Sequence, residues 1–85
     1  MANKNLTPKE IAYYKNVKYD PKVIADYDCD YDNPQYNKIH GIAYGDIVNR
    51  RPIRGAGDFT NKADYELYKY ILFYLASSAE YNIPW

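Results

Sequence analysis

Seven consecutive residues hold the densest chemistry in this 85-residue chain: Asp26-Tyr27-Asp28-Cys29-Asp30-Tyr31-Asp32 alternates four carboxylates with two phenols and the sole thiol. Carboxylates at alternate positions first suggest calcium. An EF-hand loop needs Asp at positions 1, 3 and 5, Gly at 6 and Glu at 12. Counted from Asp26, position 6 is Tyr31 and position 12 is Asn37, so no metal site is expected. Acid/base catalysis by a carboxyl pair requires two groups held in different environments, and adjacent surface carboxylates are not so held. Two readings are left. One is a solvated acidic segment that adds solubility or pairs with the chain's own Lys and Arg. The other is a partner-binding stripe, with Asp supplying charge complementarity and Tyr supplying contact area.

Arg50, Arg51 and Arg54 are all the arginines of the protein, gathered beside Gly55-Ala56-Gly57. Guanidinium groups so close together can clamp phosphate. The glycines are not followed by the Lys-Ser/Thr of a P-loop, and no dinucleotide fingerprint is present, so no nucleotide cofactor is expected. The plainer reading puts these side chains at a helix C-terminus, paired internally with the acidic segment; a protein partner is the second reading and nucleic acid the third. His40 and Cys29 are the sole histidine and cysteine. No third group or local motif orients them as a nucleophile pair, and Cys29 reads as a small buried hydrophobe. Ser77 and Ser78 fall inside a helical pattern, where they pack or bond to the backbone. The chain therefore reads as a non-enzyme without cofactor or metal.

The elements that must carry these residues are marked by their starts. Thr7-Pro8-Lys9-Glu10 is a capping box with proline at the first helical position, and Leu6 and Ile11 suit a hydrophobic staple. A helix is predicted from Pro8 to about Val17, with Ile11, Tyr13, Tyr14, Val17 and the Lys18 stem on a broad face. Asp20-Pro21 and Asn33-Pro34 repeat the cap-then-proline signal at a spacing of thirteen residues. Thirteen is too short for a stacking repeat unit, so three ordinary helix starts are read instead of a duplication. A short helix is expected from Pro21 to about Tyr27, followed by an extended acidic stretch near 28–33, because helical spacing would set like charges four apart.

Between Pro34 and Asn49 the residues Ile39, Ile42, Ala43, Ile47 and Val48 lie near helical spacing, and Arg50-Arg51-Pro52 stops any helix. Gly41 and Gly45 would share a face and let another helix cross closely, or one of them would end the helix. The strongest pattern is the last. Asn61 as N-cap and Asp64 and Glu66 in the first turns suit the helix dipole. Leu67, Tyr70, Ile71, Tyr74, Leu75 and Ser78 form a stripe that Tyr65, Tyr68, Leu72 and Phe73 widen almost all round. Such a helix should be central, or should meet a partner chain on its second face. Packing of both termini, ending in Trp85, is expected as well.

The sequence thus predicts one mainly α domain of three to five short helices around a long C-terminal helix near 61–81, with an extended acidic segment. Its size leaves no room for a cofactor domain beside a substrate domain. One cysteine rules out a disulfide framework and a zinc knuckle. The longest apolar stretch, Tyr70 to Ala76, is too short for a membrane span, and no apolar run follows Met1 to suggest a signal peptide.

Eleven basic and eleven acidic residues cancel, which argues against a nucleic-acid binder relying on a chain-wide positive field. The neutral total conceals a segment of net −4 at 26–32 between segments of net +3 at 1–25 and 33–62. Twelve Tyr with only two Phe and four Leu point to rings shared between core and surface or gathered at an interface. Tyr, Asn, Lys and Ile have AT-rich codons, which fits a phage or low-GC bacterial genome.

The function expected is non-enzymatic binding of a protein with a basic surface, in the manner of a phage accessory inhibitor of host defence or nucleic-acid-handling machinery in the host cytoplasm. Its contacts are Asp26, Tyr27, Asp28, Asp30, Tyr31 and Asp32, with Arg50, Arg51 and Arg54 as further partner-binding candidates. The alternative is a minor structural or assembly subunit, of a virion for example, that forms homo-oligomers. No membrane partner is expected.

Overall fold

The computed structural model describes residues 6–27 and 32–81. Four α-helices follow one another: α1 (Pro8–Lys15), α2 (Pro21–Ala25), α3 (Pro34–Val48) and α4 (Lys62–Tyr81), with a 3₁₀ turn at Ala56–Asp58 before the last. No strand occurs among the described residues.

Each start is built as its residues dictate. Thr7 Oγ1 accepts the Glu10 amide at 3.2 Å while Glu10 Oε1 accepts the Thr7 amide at 2.9 Å, a closed capping box. Leu6 and Ile11 are both buried beside it. Asp20 and Asn33 cap α2 and α3 through the amides of Lys22 and Gln35, each with proline at the first helical position. Asn61 Oδ1 accepts the Asp64 amide at 2.9 Å at the start of α4.

The central position expected for the last helix is what the packing has: α4 contacts α1, α2, α3 and the 3₁₀ turn. Its buried stripe is Asp64, Leu67, Tyr68, Ile71, Leu72 and Ala76, against which Ile11 and Tyr14 of α1 and Ile39, Ala43 and Ile47 of α3 pack. Each buried Leu or Ile contributes about 1.5–3 kcal/mol. The stripe is rotated from the one read in sequence. Tyr74 is exposed and Tyr70 and Ser78 are half-buried, because α1 and α3 pack on the other face; the Tyr hydroxyls suit the wetter one.

Two further corrections concern helix ends and glycines. α1 and α2 each stop two residues before the expected Val17 and Tyr27. Neither Gly41 nor Gly45 ends α3, and a Cβ at either would meet nothing within 4 Å, so no helix crosses closely there. Of the expected extension at 28–33, the described residues include Asn33, which has extended backbone, and Asp32, which lies in a turn. Residues 1–5, 28–31 and 82–85, and with them the expected packing of both termini, lie outside the described residues.

Candidate functional site

The arginine cluster is built on the end of α3. Arg50 has φ 55°, the left-handed conformation that usually falls to glycine after a helix. Its amide donates to Ile47 O at 3.1 Å and the next amide, Arg51 N, to Asp46 O at 2.8 Å, so the last turn closes as a Schellman motif. Left-handed backbone costs a residue with a side chain about 1 kcal/mol. The Arg50 guanidinium offsets this locally, donating to Val48 O at 2.9 Å and from Nε to Glu10 Oε1 of α1 at 3.2 Å.

Beyond Arg50 the chain is fixed by three tyrosines. Tyr14 Oη donates to Arg51 O at 2.7 Å, Tyr13 Oη accepts the Ile53 amide at 2.9 Å, and Tyr68 Oη accepts the Arg54 amide at 3.1 Å. Tyr13 and Tyr14 come from α1 and Tyr68 from α4, so the loop is pinned from two sides. The same Tyr68 hydroxyl donates to Asp46 Oδ2 at 2.6 Å, and Arg54 grips both oxygens of Asp46, at 2.8 and 3.1 Å. Asp46 is 2% exposed; a bidentate guanidinium and a phenol compensate the desolvation of its charge.

Electrostatics follow from this packing. Burial, then the hydrogen bond to Asp46, push the Tyr68 phenol far above its ordinary value. Burial, with Tyr13 and Asp46 nearby, raises the Tyr14 phenol. The bond to Asp46 strengthens the hold of Arg54 on its proton. The Thr7 amide, aided by Arg50, lowers the Glu10 carboxyl. All four shifts favour the protonation states that make the bonds described.

Two more buried carboxylates, Asp64 and Glu66, hold the other end. Asp64 Oδ1 accepts Tyr27 Oη at 3.2 Å and its Oδ2 accepts Gln35 Nε2 at 2.7 Å. Glu66 Oε1 accepts the Asp20 amide at 2.8 Å and meets Lys69 Nζ at 3.0 Å. Tyr27 near the start of the acidic run and Gln35 beyond its end are thereby tied to one side chain of α4.

The sequence candidates fall out as follows. Asp26 and Asp32 are exposed and Tyr27 is half-buried, whereas Asp28, Asp30 and Tyr31, with Cys29, lie outside the described residues. Arg54, expected to pair with the acidic run, is instead held by Asp46, eight residues before it in the same helix-and-loop unit. Arg50 meets Glu10, and Arg51 projects its side chain to solvent. His40 is half-buried between Tyr36 and Tyr44 on α3, with ring centroids 6.1 and 6.5 Å away. Ser77 Oγ is buried without a hydrogen-bond partner among the described residues.

Asp46 and the three pinning tyrosines were missed as a unit. The signal was present for Asp46, which falls in helical register with Ile39, Ala43 and Ile47 and so interrupts an apolar stripe. Among the described residues, no group of three or more His, Cys, Asp or Glu is placed to hold a metal, and no helix is long and apolar enough to cross a membrane. No family model, curated protein or solved structure matches the chain.

Proposed function

We propose that this protein is a non-enzymatic binding module whose acidic, tyrosine-bearing edge, from Asp26 to Asp32, meets a basic surface on another protein. One observation carries the reading. Tyr27, the second residue of the run, and Gln35, just beyond its end, both bond to buried Asp64, so the start of the run and the chain that follows it meet at one point on the central helix. Asp26 and Asp32 at its ends are exposed. Holding a charged segment by its ends lowers the ordering cost of binding. The buried carboxylates Asp46, Asp64 and Glu66 already accept structural hydrogen bonds, which supports a non-catalytic role for them. A phage-encoded inhibitor acting in the host cytoplasm is the concrete form of this reading.

The test is a pull-down with tagged protein beside a variant carrying Asp26, Asp28, Asp30 and Asp32 changed to Asn, followed by reconstitution with the purified captured protein. One basic protein bound stoichiometrically by the wild type and lost by a folded variant is the expected result. Equal capture by both rejects the acidic edge. The assembly-subunit alternative draws on Tyr44 and Tyr74, 52% and 56% exposed, and requires self-association in light scattering that survives the Asp changes.

A further inference from the structure

A cleft of about 470 Å³ opens between α1 and the arginine loop, its walls including Lys9, Glu10 and Tyr13 on one side and Arg50, Arg51 and Pro52 on the other. A shallower one of about 320 Å³ lies across the same ridge, and Arg51 and Pro52 line both. The ridge is therefore a projecting feature with open space on each flank. Its backbone is the segment pinned by tyrosine hydroxyls at Arg51 O, Ile53 N and Arg54 N, with Arg51 N donating to Asp46 O.

The cations around this cleft divide into two kinds. Arg50 bonds to Glu10 and two carbonyls, and the neighbouring Arg54 is consumed by Asp46. Lys9 and Arg51 are exposed and make no ion pair among the described residues. The Tyr13 ring, 48% exposed, lines the same cleft, its hydroxyl accepting the Ile53 amide. Two spare cations beside an aromatic ring and a proline suit a ligand that is negative at intervals and apolar between.

We propose that this cleft binds an acidic peptide segment of a partner protein, with carboxylates at Lys9 and Arg51 and apolar groups of the peptide against Tyr13 and Pro52. A peptide fits better than nucleic acid. The Glu10 carboxylate in the wall is already bonded to Arg50, and the two remaining cations neutralise too few phosphates to hold a continuous backbone. Charge complementarity at a pre-fixed loop supplies the selectivity. The site uses none of the residues of the acidic run in the proposed function, so either can fail alone.

The experiment uses the whole protein, a fluorescein-labelled peptide of sequence Asp-Tyr-Asp-Ser-Asp-Tyr-Asp, its all-Asn counterpart, and a labelled oligothymidylate. Binding is read by anisotropy up to about 1 mM protein. Wild type should bind the acidic peptide and not the Asn peptide. Lys9→Glu and Arg51→Glu should each weaken binding about tenfold by replacing an attraction with a repulsion, while Lys38→Glu, exposed on α3, leaves it unchanged. Both test side chains are solvent-exposed, and unchanged circular dichroism confirms that the variants fold. The proposal is overturned by no acidic-peptide binding in that range, by wild-type affinity in Arg51→Glu, or by preference for the oligothymidylate with a steep salt dependence.

Discussion

Asp46 and Asp64 are both buried carboxylates on the inner face of a helix, yet they organise their neighbourhoods by different means. Asp46 is neutralised by a guanidinium and bonded by a phenol, and the loop it anchors is pinned at successive residues. Among the described residues, the side-chain donors to Asp64 are neutral, Tyr27 and Gln35, at the favourable positive end of α4. Charge is cancelled inside the molecule at the first site and left standing at the second. A charge-neutral hub fixes geometry, whereas a hub of neutral donors holds chain together without altering the net charge of that end.

The comparison breaks most visibly if the carboxylates are removed. Asp46→Ala strands Arg54 and Tyr68 and should cost about 3–5 kcal/mol, as for a broken buried pair. That is most of the stability of a small domain, so urea unfolding should lose its native baseline. Asp64→Ala frees neutral groups that water can reach and should cost about 1–3 kcal/mol, shifting the urea midpoint while the transition stays cooperative. An equal or larger loss at Asp64 would erase the distinction.

A smaller effect sharpens it through pH. Burial raises the Tyr68 and Tyr14 phenols, so their contribution to folding is fully present below the unfolded phenol value of about 10. It is lost as pH rises beyond that toward their folded values. Wild-type stability should therefore fall steeply in alkali. Tyr68→Phe should cost about 1–2 kcal/mol at neutral pH and flatten that alkaline limb, with thermal melts between pH 8 and about pH 11 giving the slope. A limb as steep in the variant would remove Tyr68 from the explanation.

The smallest effect has the opposite sign. Gly41→Ala and Gly45→Ala introduce a Cβ into open space and should each stabilise by about 1 kcal/mol. Destabilisation by either would mean that this face of α3 is closed in solution. Thermal denaturation is sufficient to decide.

Much of the architecture was legible because it rests on local signals. The Thr7 box, the Asp20 and Asn33 caps and the three prolines act within a turn of themselves, and they set three of four helix starts. The rotation of α4 was not legible. Tyr70 and Tyr74 satisfy the same periodicity as Leu72 and Ala76, and only the neighbours on α1 and α3 choose which phase is buried. The polar hubs were hidden for a related reason. Tyr13 and Tyr14 meet the loop across nearly forty residues, a distance at which pattern along the chain says nothing. Asp46 alone was within reach, as a charge in an apolar register.

One consequence of the pinned loop concerns time. The amides of Ile53 and Arg54 are held by side-chain hydroxyls of other helices and by no helical carbonyl. Their exchange with solvent deuterium is therefore governed by the undocking of α1 or of α4, and not by the fraying of the helix next to them. Slow exchange at these two positions would time, one helix each, how often the assembled molecule comes apart while its helices persist.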